Sequence, residues 1–88
     1  MYELHIRKHL VGVFKKLKKK DPKQYGILKR KLEKILRNPF QFKPLRTPLK
    51  GKWRVHIAKS FVLIYSIDRK NSRVILEDYA HHDEVYVE

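Results

Sequence analysis

The run Lys52–Asp68, "KWRVHIAKSFVLIYSID", limits the fold more than any other part of the chain. In Lys52–Ala58, Trp53, Val55 and Ile57 alternate with Lys52, Arg54 and His56, the period-2 pattern of a strand with one covered face. Phe61–Asp68 is apolar on both faces at its start, which suits a strand in the middle of a sheet. "RKNS" then supplies a hairpin turn, and Arg73–Ala80 returns as the next strand. Three consecutive antiparallel strands need a cover for one face, and the residues before them provide it.

"YELHI" alternates as a short first strand with Tyr2, Leu4 and Ile6 on one face. Leu10, Val13, Phe14 and Leu17 recur at helical spacing, which predicts a helix over 8–20. Asp21-Pro22 is an N-cap followed by a first-turn proline, so a second helix starts there. Its stripe is Tyr25, Leu28, Leu32, Ile35 and Leu36, and it stops near Asn38-Pro39. So tight a connection makes the two helices an antiparallel hairpin. "NPFQFKPLRTPLKG" follows as a loop held down by Phe40, Phe42, Leu45 and Leu49. The expected fold is α+β, in the order β-α-α-β-β-β. A helical hairpin packs on one face of a small antiparallel sheet, and the other face stays open.

Eighty-eight residues at 42% hydrophobic suit one domain, 1–88, with one small core. There is no cysteine, which excludes a disulfide framework, a thiol nucleophile and thiolate metal sites, and fits a reducing cytoplasm. "MYELHIRKHL" carries charges where the apolar core of a signal peptide belongs, and the longest apolar run, Phe61–Tyr65, is too short to span a membrane. Charge is the outlying property. The net value is +13, and Arg7–Arg37 holds thirteen Lys or Arg against two acids, Asp21 and Glu33. The last thirteen residues reverse this, with five acids and no Lys or Arg. A surface this basic points to a polyanion, nucleic acid before membrane.

Two clusters carry candidate chemistry. Arg54 and His56 share the face that the helices leave open, so a phosphate-binding guanidinium stands beside a proton-transfer group. At the chain end, "YAHHDEVYVE" places His81 and His82 after the last strand and Tyr86 four residues beyond His82. Adjacent histidines in a strand point to opposite faces and no metal-ligand spacing is present, so no metal site is expected from His81, His82, Asp83 and His56. His5 and His9 read as structural or solvent-exposed. Gly12, Gly26 and Gly51 are isolated and form no phosphate-cradling loop, so no cofactor is expected.

"PLKGKWRVHIAKSFVLIYSID" followed by "VILEDYAHHDEVY" resembles the C-terminal half of RelE/ParE-superfamily toxins of type II toxin–antitoxin modules, closest to the YafQ and YoeB-like branch. The resemblance covers Pro48 to Tyr86. It implies a ribosome-dependent mRNA endonuclease, an mRNA interferase, neutralised by an acidic antitoxin. By position, His56 matches the strand histidine of that branch, His82 its C-terminal histidine and Tyr86 its terminal aromatic; Arg54 matches a basic position. Thr47 and Ser60 stand where the branch often has a histidine and an acidic residue.

Together the residues and the resemblance imply metal-free cleavage through the RNA 2′-OH. His82 would act as base or acid, His56 as its counterpart or as a phosphate ligand, Arg54 with Lys52 would stabilise charge, and Tyr86 would stack on or orient a base. Lys15, Lys16, Lys18, Lys19, Lys20, Lys29, Arg30 and Lys31, with Lys50 and Lys52, would hold ribosomal RNA and mRNA by their phosphates. Two alternatives share the fold: a ParE-like inhibitor of DNA gyrase, and a catalytically silent basic RNA-binding domain.

Overall fold

The computed structural model describes residues 1–46 and 51–85. Strand β1 (Glu3–Ile6) leads into helices α1 (Lys8–Lys20) and α2 (Pro22–Arg37). A 3-10 turn (Pro39–Gln41) and a two-residue strand β2 (Lys43–Pro44) follow. Strands β3 (Lys52–Ile57), β4 (Phe61–Asp68) and β5 (Arg73–His81) and a short helix α3 (His82–Val85) complete the fold. The strands form one sheet in the order β1-β5-β4-β3-β2, so β4 is central as its double-sided apolar pattern requires. Among the described residues no helix is long and apolar enough to cross a membrane.

Local chemistry sets the helix boundaries. Asp21 Oδ1 accepts from the Gln24 N–H at 3.1 Å, capping α2, and Pro22 opens it without wasting a donor. Leu10 and Phe14 of α1 and Leu28 and Ile35 of α2 are buried against Val55, Ile57, Leu63, Tyr65, Val74, Leu76 and Tyr79. Trp53 packs on the rim of this core, edge-on to Phe40. The face of Trp53, Val55 and Ile57 is therefore the covered one.

Three features depart from the sequence reading. β1 joins the sheet parallel to β5, not antiparallel, because the helical pair and two hairpins between them give the long return that parallel pairing needs. The proline-rich segment is not wholly a loop: Lys43 and Pro44 pair with Arg54 and Trp53, and proline is tolerated there because β2 is an edge. It is also latched to the core, since the buried Tyr65 hydroxyl donates to the Pro39 carbonyl at 2.7 Å. Finally, β5 runs to His81 and turns into α3, whose short span gives no periodic signal.

A register shift matters more for the site. Tyr65 pairs with Leu76 but Ile64 pairs with Asp78, so Glu77 is an extra residue in β5. Unbroken alternation from Val74 and Leu76 would bury Asp78 and Ala80 under the helices. The bulge resets the phase: Tyr79 joins the core opposite Leu63, while Asp78 and Ala80 face away from it.

Candidate functional site

Register lays out the open face row by row. Lys52 stands beside Ser66, then come Arg54, Ile64 and Asp78, then His56, Val62 and Ala80. His82 lies one row further along, its N–H donating to the Ser60 carbonyl at 2.8 Å. Val62 and Ile64 are buried at 0% and 3% exposure, so this face has an apolar floor with polar groups around it. Arg54 is half-buried and His56 exposed, on the face expected for them.

Beside His56 the chain forms a groove of about 490 Å³ lined by Lys31, Gln41, Phe42, Lys43, Arg54, Val55 and His56. Lys31 of α2 reaches it across the Phe42 ring, with Nζ 6.0 Å from the centroid. Lys43 enters as the β2 partner of Arg54. Three cations and an imidazole thus surround one concavity, a fitting cradle for a phosphodiester. Lys43 was missed from sequence, because only the β2 pairing, invisible in a proline-rich stretch, puts it beside Arg54.

Lys52 sits differently from the lysines around it. Its Nζ is 3.7 Å from Oε1 of Glu77, which also receives Arg7 Nε at 3.0 Å, while Ser66 Oγ donates to Oε2 at 2.6 Å. Burial opposes ionisation of Glu77, but Arg7, Ser66 and Lys52 outweigh it and hold the carboxyl below its usual range. The charge of Lys52 is thereby partly committed within the sheet. On the helices the reverse holds: Lys15, Lys16, Lys18, Lys19, Lys20, Lys29 and Arg30 are exposed. Lys18 and Lys29 each approach the Tyr25 ring, with Nζ 5.9 and 6.0 Å from its centroid, so cations of both helices gather around one aromatic.

The chain-end histidines overturn one expectation. Because β5 ends at His81 and His82 begins α3, the two rings do not diverge: they stack at 4.7 Å with 27° between planes. Phe61 meets His81 edge-on at 5.8 Å. His82 Nδ1 lies 3.2 Å from the Ser60 carbonyl oxygen and Nε2 2.9 Å from Asp83 Oδ1. A carbonyl only accepts, so Nδ1 carries a hydrogen. His5 and His9 are exposed, with His9 4.0 Å from Asp78. Lys50 and Tyr86, together with Thr47, lie outside the described residues.

No family model matches the chain. Over 86 residues it is 49% identical to an uncharacterized protein of Methanosarcina mazei, covering 98% of this chain and 100% of that one. It is 44% identical over 86 residues to "Putative toxin RelE4" of Methanocaldococcus jannaschii, covering 98% of this chain and 92% of that protein. Among solved structures, a YoeB/ParE toxin from Agrobacterium tumefaciens superposes with a TM-score of 0.82 at 15% identity, over 91% of this chain and 98% of that one. YafQ from Escherichia coli superposes at 0.75 and 17% identity, over 99% and 100%. The toxin–antitoxin complex RelBE2 from Mycobacterium tuberculosis matches at 0.74 and 22% identity, over 91% and 96%. At these identities the structures speak for the fold.

Proposed function

The chain belongs to the RelE/ParE superfamily of toxins, and from that premise we propose that it is an endoribonuclease that cuts mRNA on the ribosome. An antitoxin, acidic to complement the +13 charge, would hold it in check; solved structures of this fold include toxin–antitoxin complexes. The observation that carries the reading is the pairing of Arg54 and His56 at a groove with Lys31 and Lys43, one row from His82. Gyrase inhibition or passive RNA binding gives no reason for imidazoles at that position.

The chemistry needs four things. The 2′-OH must lose a proton as it attacks the adjacent phosphorus, the pentavalent intermediate must be stabilised, the leaving 5′-oxygen must gain a proton, and the base must be oriented. His82, held with Nδ1 at the Ser60 carbonyl and Nε2 at Asp83, suits the donor to the 5′-oxygen. His56, exposed on the rigid strand β3, suits the acceptor from the 2′-OH. Arg54 with Lys31 and Lys43 meets the phosphoryl oxygens, and Lys52 contributes charge shared with Glu77. Tyr86 would stack on a base beside His82. The lysines of α1 and α2 grip ribosomal RNA without reading sequence.

The test is induction of the protein alone, with 5′ ends mapped on translated mRNAs. Cleaved messages should carry a 5′-hydroxyl downstream and a 2′,3′-cyclic or 3′-phosphate upstream, and EDTA should not slow cleavage. Intact mRNA with stalled DNA replication would replace this reading with gyrase inhibition.

A further inference from the structure

Part of the groove beside His56 is not cationic. Gln41 and Phe42 line it together with Lys31, Lys43, Arg54 and His56. Gln41 Nε2 donates to the Lys34 carbonyl at 2.9 Å and to the Asn38 carbonyl at 3.0 Å. Carbonyls only accept, so the NH₂ of the amide faces the end of α2 and both its hydrogens are used. The amide oxygen Oε1 is the group left over, and among the described residues no hydrogen bond reaches it.

The turn that carries this amide is held still. Asn38 Oδ1 accepts from the Phe40 N–H at 3.2 Å, and the Tyr65 hydroxyl latches the Pro39 carbonyl at 2.7 Å. Phe42, the next residue, is half-buried against the core, with Lys31 Nζ 6.0 Å from its ring centroid. A pinned acceptor beside an aromatic ring does nothing for a phosphodiester, whose oxygens are acceptors themselves. A nucleobase uses both: its face stacks on the ring, and its edge carries donors. Adenine and cytosine present an amino group where guanine and uracil present a carbonyl. Since its NH₂ is spent on α2, Gln41 can accept from the amino group but cannot turn over to donate to the carbonyl without breaking both bonds.

We infer that Gln41 and Phe42 form a base-reading subsite: the nucleotide held by Lys31, Lys43 and Arg54 stacks its base on Phe42, and Gln41 Oε1 selects amino bases, adenine and cytosine, over keto bases. The groove, at about 490 Å³, lies within the roughly 300–1,000 Å³ of sites that enclose a small ligand. The inference rests on the reading of this groove as an RNA cradle and adds to it which nucleotides are preferred. Gln41 is then a specificity residue, one that takes no part in proton transfer.

Adenine and hypoxanthine separate the amino from the keto edge with sugar and phosphate unchanged. The full chain is titrated at low salt with short deoxyoligonucleotides that carry one or the other base between thymines, and the Gln41 side-chain amide is followed by NMR. These strands lack the 2′-OH and stay intact. The amide resonances should shift, and the adenine strand should bind roughly 2–12-fold more tightly, the worth of one neutral hydrogen bond. Gln41→Ala should bring the two affinities together, even where loss of its bonds to α2 weakens both. Phe42→Leu should weaken both strands and keep their ratio; undiminished binding by the folded variant removes the stack. Equal affinities in the wild type, or a preference that survives in Gln41→Ala, overturns the subsite. In the activity arm, ribosome-bound messages with adenosine or inosine in the cut codon should show the same ratio of rates, and Gln41→Ala should abolish it. Equal rates in a wild type that cuts both messages overturn the role in specificity. Failure of the wild type to cut either message removes the ribonuclease reading instead, and the titration then decides the subsite.

Discussion

Replacing Glu77 by glutamine should move stability and RNA affinity in opposite directions. Its carboxylate is mostly buried, at 14% side-chain exposure, and ties Ser66, Lys52 and Arg7 together on the open face. Glutamine keeps the shape and a carbonyl for the Ser66 hydroxyl, so what is lost is the charge. A hydrogen bond to an ionised acceptor is worth about 1.5–3 kcal/mol net, against about 0.5–1.5 for a neutral one. The Arg7 limb is half exposed and screened by water, so it adds no dependable stability. The expected loss is about 1 kcal/mol, or roughly 4–8 °C in Tm for a domain of this size. The pH dependence checks the cause. Glu77 ionises in the folded state below its ordinary 4.5, so its contribution is complete above that value. It disappears as pH falls through the folded-state pKa. The gap between wild type and variant in urea melts should therefore be full at pH 7 and close only as pH falls below 4.5. Freed of their carboxylate, Lys52 and Arg7 offer two cations to RNA, so ribosome affinity should rise at low salt and its salt slope should steepen. Equal stability at pH 7, a gap that persists in acid, or weaker RNA binding would refute the reasoning.

Three further outcomes are expected. His82→Ala should slow cleavage of ribosome-bound mRNA by about 10²–10⁴-fold in single turnover while cosedimentation with ribosomes barely changes; His56→Ala should slow it too, and Arg54→Ala should impair both. A wild-type rate in His82→Ala removes that residue from the chemistry. Replacing Lys15, Lys16, Lys18 and Lys19 by glutamine should lower ribosome affinity and flatten its salt dependence by roughly one counterion per phosphate lost; an unchanged slope places the docking surface elsewhere. Tyr65→Phe strands the buried Pro39 carbonyl that its hydroxyl serves and should cost about 1–3 kcal/mol in denaturant unfolding, with no loss meaning that the latch is immaterial.

Most of the architecture was legible because it follows from periods that sequence displays. The 3.6-residue stripes of α1 and α2, the Asp21-Pro22 boundary and the alternation in Lys52–Ile57 each state which side chains face the core. Arg54 and His56 could be put on the open face for that reason alone. Lys43 could not be put beside them, because a two-residue edge strand has no period to read. Nor could the parallel pairing of β1, which depends on how the chain returns after six intervening elements and not on any residue within Glu3–Ile6.

The chain end failed for a different reason. Period-2 reasoning assumes that a strand continues and stays in phase, and β5 breaks both assumptions. Glu77 bulges out, which turns Asp78 and Ala80 to the face of His56 and moves Tyr79 into the core. The strand then stops at His81, and the first helical residue swings its ring against the one before it. Without the bulge, Asp78 would be a carboxylate under the helices, and His81 and His82 would exchange sides. A single inserted residue therefore decides which imidazole is held by Ser60. Deleting Glu77 should disturb cleavage of ribosome-bound mRNA, whereas Glu77→Gln, which keeps the bulge, should spare it.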